Sequence, residues 1–141
     1  MRIQYASDLH LEFRDNSQFL QLCPLEVVGD ILVLAGDITL FGRNKYSNNS
    51  FFDWCSEHYE QTYIIPGNHE YYEGVDLAES IKDFEMMIRP NVRYINNKSI
   101  KHGDTELFFT TLWCKIPPTE ILPVQLGIPD CHRIIYQSER F

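Results

Sequence analysis

The apolar residues of this chain gather into three short runs, and each run ends abruptly in polar, turn-forming residues. Residues 1–6 lead into Ser7-Asp8-Leu9-His10, residues 30–35 into Gly36-Asp37, and residues 62–65 into Pro66-Gly67-Asn68-His69. The middle run, Ile31-Leu32-Val33-Leu34, is continuous rather than alternating, the pattern of a strand buried on both faces. Helical patterns fall between and after these strands. Ser50 with Asp53 predicts a helix start, followed by Phe51, Cys55 and His58 or Tyr59 at helical spacing. Asp76 with Glu79 predicts a second, with Leu77, Ile81, Phe84 and Ile88 on one face and Arg89-Pro90 closing it. Residues 9–22 fit a loop followed by a short helix.

Past Pro90 the texture changes. Residues 92–95, 99–102 and 106–113 read as strands, with Gly103-Asp104 as a hairpin turn. From Lys115 onward, Pro117, Pro118, Pro123, Gly127 and Pro129 predict irregular chain. Strand–helix alternation followed by a β-rich edge is the signature of an α/β fold. With 141 residues and no repeat, low-complexity tract or linker, one domain is expected.

Composition narrows the class. Hydrophobic residues make up 44% and charged residues 23%, the balance of a soluble globular chain. The net charge of −8 and pI near 5.0 argue against a nucleic-acid or anionic-membrane partner. Bound divalent cations would reverse that sign locally, so an anionic substrate stays compatible. No apolar stretch approaches the ~20 residues that span a bilayer, and the N-terminal run is too short for a signal peptide. The cysteines, Cys23, Cys55, Cys114 and Cys131, are scattered without a Cys-x-x-Cys pair and read as free, mostly buried thiols. The expectation is a cytoplasmic protein.

The chemistry lies in the three polar clusters taken together. An Asp after a strand, or a Gly-Asp pair, is by itself an ordinary turn. Here three successive strands deliver Asp8 and His10, then Asp37, then Asn68 and His69, to one sheet edge. The carboxyl ends of strands are where open α/β sheets bind ligands. Asp8 and His10, two residues apart on an extended segment, would point the same way and reach one ion. Phosphate-ester hydrolysis needs an activated water and neutralised phosphoryl oxygens, and two divalent metals ~3.5–4 Å apart supply both. Mixed imidazole, carboxylate and amide-oxygen ligands suit Mn, Fe or Zn better than Ca.

Asp8-x-His10, Gly36-Asp37 and Gly67-Asn68-His69-Glu70 resemble the first three signature motifs of calcineurin-like metallophosphoesterases. The resemblance implies a β-sandwich flanked by helices, in the layer order α-β-β-α. It implies that Asp8 and His10 bind the first metal, Asp37 bridges, and Asn68 binds the second through its side-chain oxygen. His69 would protonate the leaving group or stabilise the transition state, and Glu70 would orient its neighbours. Residues 110–113, Thr110-Thr111-Leu112-Trp113, resemble a strand of small family members.

The family pattern continues with an isolated His and then Gly-His-x-His, and neither is present. The later histidines are His102, read as a surface residue, and His132, read as lying off the metals. Residues 1–141 therefore read as the N-terminal portion of a single metallophosphoesterase-like domain, cut short. Apolar strand residues left uncovered would favour a homodimer or a partner supplying the missing half. The expected function is a metal-dependent phosphohydrolase that acts on a small phosphomonoester or phosphodiester through two divalent ions. The alternative is a catalytically inactive binding or interaction module on the same fold.

Overall fold

The computed structural model describes residues 1–42 and 46–140. A five-stranded sheet in the order β1-β2-β3-β5-β4 forms its centre, built from β1 (Ile3–Ala6), β2 (Ile31–Ala35), β3 (Gln61–Ile65), β4 (Phe84–Arg89) and β5 (Val92–Asn96). β1, β2, β3 and β5 run parallel, whereas β4 is antiparallel to β5. Helix α1 (Arg14–Leu22) connects β1 to β2, and α2 (Ser50–His58) connects β2 to β3. A hairpin of β6 (Lys98–His102) and β7 (Thr105–Phe109) turns at Gly103, whose φ is +59°.

Strand periodicity assigns each residue to a face. Leu32, Leu34, Ile64, Val92 and Tyr94 face the helices and pack with Phe51, Phe52 and Cys55 of α2 and Leu20 of α1. Their neighbours Ile31, Tyr63 and Ile95 face the other way and pack with Phe109, Leu107 and Ile100 of the hairpin. The continuous apolar run of β2 is thus buried on both faces, as its pattern predicts. Helix layer, main sheet and second sheet give the mixed α/β arrangement expected. Among the described residues the second sheet is the two-stranded hairpin, and it does not cover β1, where Ile3 and Tyr5 are exposed.

Three expectations need correction. The helix read over residues 76–88 is a single 3-10 turn, Leu77–Glu79, followed by strand β4. Asp76 does cap it, its carboxylate accepting from Ala78 N. Phe84, Met86 and Ile88 also alternate at period two, and pairing with β5 across the Pro90-Asn91 turn realises that period instead. Residues 110–113 are not strand: Thr110 donates to Asn97 Oδ1 and Thr111 to the Pro66 carbonyl, so both hydroxyls tie the chain to loops. Beyond Lys115 the chain forms α3 (Ile121–Gly127), α4 (Asp130–Arg133) and a small hairpin, β8 (Ile135–Tyr136) with β9 (Glu139–Arg140). The cysteines are free; Cys55 and Cys131 are buried, whereas Cys23 and Cys114 are exposed. No helix among the described residues is long and apolar enough to cross a membrane.

Candidate metal centre

The loops leaving β1, β2 and β3 meet at one end of the sheet. Asp8 N donates to Gly36 O (3.0 Å), His10 N to Asp37 O (3.0 Å) and Leu11 N to Ile38 O (2.7 Å), so the first loop is strapped along the second. Asp8, His10 and Asp37 have φ of 57°, 47° and 57°, all in the left-handed region. A non-glycine residue held there costs of order 1–3 kcal/mol, and such residues cluster at functional sites. One carboxylate oxygen of Asp8, one of Asp37 and a ring nitrogen of His10 all lie within 4.8 Å of one another. Convergence of Asp8 and His10 therefore holds, but through left-handed turns rather than through the alternation of an extended strand.

The third loop is held against the second by Glu70. Its fully buried carboxylate accepts from Asp37 N (3.1 Å), Ile38 N (2.8 Å) and Gly67 N (2.7 Å). Burial pushes its pKa up to about 7, against the pull of the Ile38 and Gly67 N–H groups. Gly67 must be glycine: a Cβ there would lie 2.3 Å from Asp37 Oδ1 and 2.7 Å from Asp37 N. That closeness lets His69 N donate to Asp37 Oδ1 at 2.9 Å.

Asn68 is oriented by partners from elsewhere in the chain. Its Nδ2 donates to Asp130 Oδ1 (2.9 Å) and to Tyr72 Oη (3.1 Å), and Tyr72 in turn donates to Asp130. An ionised carboxylate only accepts, so the amide nitrogen must face Asp130, which leaves Asn68 Oδ1 as the atom available to a cation. His69 stands edge-on to His10, with ring centroids 4.4 Å apart.

Two further residues join the centre that the three motifs do not contain. Glu12 is one: its Oε1 lies 3.1 Å from His10 Nδ1 and 3.0 Å from His69 Nδ1. The alternation Asp8, His10, Glu12 was its signal. Asp130 is the other, and it had none, since it reaches Asn68 only through the fold. In the same segment His132 is exposed and belongs to no ligand cluster among the described residues. His102 is half-buried rather than on the open surface, sharing a 2.9 Å hydrogen bond with the Tyr63 hydroxyl. Beside the centre opens a cavity of about 580 Å³, lined by Glu12, Phe13, His69, Tyr72, His132 and Arg133 among others.

These residues fit a divalent cation. The donors mix imidazole nitrogen with carboxylate and amide oxygen, and Glu12 Oε2 is buried without a hydrogen-bond partner. A family model, described as calcineurin-like phosphoesterase, matches residues 1–133. The chain belongs to this family. The family is one of hydrolases that bind divalent metal ions, and the residues matched include all three loops. The chain is also 33% identical over 150 residues to an uncharacterized protein, L509, of Acanthamoeba polyphaga mimivirus. That match covers 95% of this chain and 52% of L509, so the chain spans about half the length of this relative. No solved structure matches significantly.

Proposed function

We propose that this family member is a metal-dependent phosphohydrolase that cleaves a small phosphomonoester or phosphodiester at a dinuclear centre. The observation that carries the reading is the convergence of Asp8, His10 and Asp37 on left-handed backbones, within 4.8 Å of one another. In this reading Asp8 and His10 would hold one cation, Asp37 would be shared with a second, and Asn68 Oδ1 would serve that second ion. Bound there, Mn, Fe or Zn ions would supply a water of lowered pKa and neutralise phosphoryl charge. His69 serves the leaving group: its Nδ1 is committed to Glu12, which leaves Nε2 for a proton at the departing oxygen. The neighbouring cavity, with the Arg133 guanidinium over the Tyr72 ring, offers room and positive charge for the ester group.

The direct test is Mn²⁺-dependent hydrolysis of bis-p-nitrophenyl phosphate and of the corresponding monoester, with His69→Gln as control. Turnover that disappears in the control supports the enzyme. A folded, metal-loaded chain without turnover would favour the second reading, a binding module that keeps the loops but not the activity. That reading draws support from the second cation's sparse set of protein ligands, Asp37 and Asn68. The acidic chain and its free thiols suit a cytoplasmic enzyme of small esters rather than of nucleic acids.

A further inference from the structure

Glu12 is a carboxylate where stability alone would favour an apolar residue. Its side chain is 6% exposed, and among the described residues its ion-pair partners are two imidazoles. Oε1 lies within hydrogen-bond distance of Nδ1 on both rings, while Oε2 is buried without a partner. Burying a carboxylate is costly, and a half-satisfied one more so. The two rings it joins are those assigned to cation binding and to the leaving group.

An ionised carboxylate can only accept hydrogen bonds. With Glu12 ionised, contact at 3.1 Å and 3.0 Å calls for a proton on Nδ1 of each ring, which leaves Nε2 of each as the ring nitrogen free to accept. A carboxylate behind a metal-binding histidine commonly sets its tautomer and ring orientation. Here one oxygen reaches both because the rings stand edge-on, 4.4 Å apart and 70° inclined.

We propose that Glu12 is the positioning residue of this centre, one carboxylate oxygen fixing the tautomer and tilt of His10 and His69 together. Nε2 of His10 is thereby left for a cation and Nε2 of His69 for the substrate. The assignment of those two roles rests on the function proposed above; the tautomer claim does not.

Long-range ¹H–¹⁵N correlation of the metal-free chain, recorded at a pH where the spectrum itself shows both rings neutral, reads the ring protons directly. Both His10 and His69 are expected as Nδ1–H in the wild type. In Glu12→Ala both should shift toward Nε2–H, and Mn²⁺ affinity measured by titration calorimetry should fall ~10–100-fold. Glu12→Gln retains an acceptor oxygen and the volume, so it should keep both tautomers and hold Mn²⁺ affinity within a few-fold. An Nε2–H tautomer at either ring of the wild type overturns the proposal, as does wild-type Mn²⁺ affinity in Glu12→Ala. Affinity lost as fully in Glu12→Gln as in Glu12→Ala also overturns it, making Glu12 a ligand instead. A wild type that binds no Mn²⁺ would defeat the metal-centre reading, and the tautomers would still decide the role of Glu12.

Discussion

Asp37 sits where the three loops cross. Its backbone bonds to the first loop and to Glu70, its carboxylate accepts from His69 N, and Gly67 leaves room for it. In the proposed centre it alone touches both cations, so Asp37→Ala should damage Mn²⁺ binding more than Asp8→Ala. His69→Gln should leave binding nearly intact and lower turnover ~10²–10⁴-fold, the usual contribution of a general acid. Calorimetry beside steady-state kinetics separates the two; equal loss of metal in Asp37→Ala and His69→Gln would show the roles to be misassigned. Gly67→Ala places a methyl group against the Asp37 backbone and carboxylate, and overpacking of this kind costs about 1–3 kcal/mol. It should lower both the melting temperature and Mn²⁺ affinity, and a variant with wild-type values of each would contradict the packing described. Asp8, His10, Asp37, Asn68 and His69 stand out in the sequence because three apolar runs end in polar clusters that together resemble the family's motifs. Asp130 could not, since nothing local marks a residue 62 positions from the asparagine it orients.

The elements differ in how plainly their sequences announce them. The β1, β2 and β3 units were legible because period, length and terminating turn residues agree. Helix α2 was legible too, although its cap is Asn49, whose side chain accepts from Phe51 N, rather than Ser50. Removing that cap in Asn49→Ala should cost about 1 kcal/mol in urea unfolding while leaving Mn²⁺ affinity unchanged. β4 misled because Leu77, Ile81, Phe84 and Ile88 satisfy a helical period and Phe84, Met86 and Ile88 a strand period. A long-range partner, β5, decides between them. Glu85 of β4 pairs with Lys98 and with Arg93, and hydrogen bonds from both hold its carboxyl below the usual range. A lowered pKa means stability present above the ordinary carboxylate value and lost as pH falls through the lowered one. Glu85→Gln should therefore flatten part of the acid-side decline in stability, and an unchanged pH profile would show that these ion pairs contribute nothing to it.

At the scale of the molecule, the two faces of the main sheet are unequally covered. α1 and α2 blanket one face, whereas the β6–β7 hairpin packs on residues of β2, β3 and β5. On β1, Ile3 pairs in register with Ile31 and Tyr5 with Val33, yet Tyr5 remains 82% exposed. We propose that a second copy of this chain covers this face. Light scattering should then find self-association that Tyr5→Lys reduces; a monodisperse monomer at tens of micromolar would contradict it.

Mn²⁺ titration calorimetry of the wild-type chain beside Asp8→Ala and Asp37→Ala decides whether these loops form a metal centre. A centre held by these loops should bind Mn²⁺ in the wild type, more weakly in Asp8→Ala and more weakly still in Asp37→Ala. Binding unchanged in both variants would place the metal elsewhere and contradict the assignment.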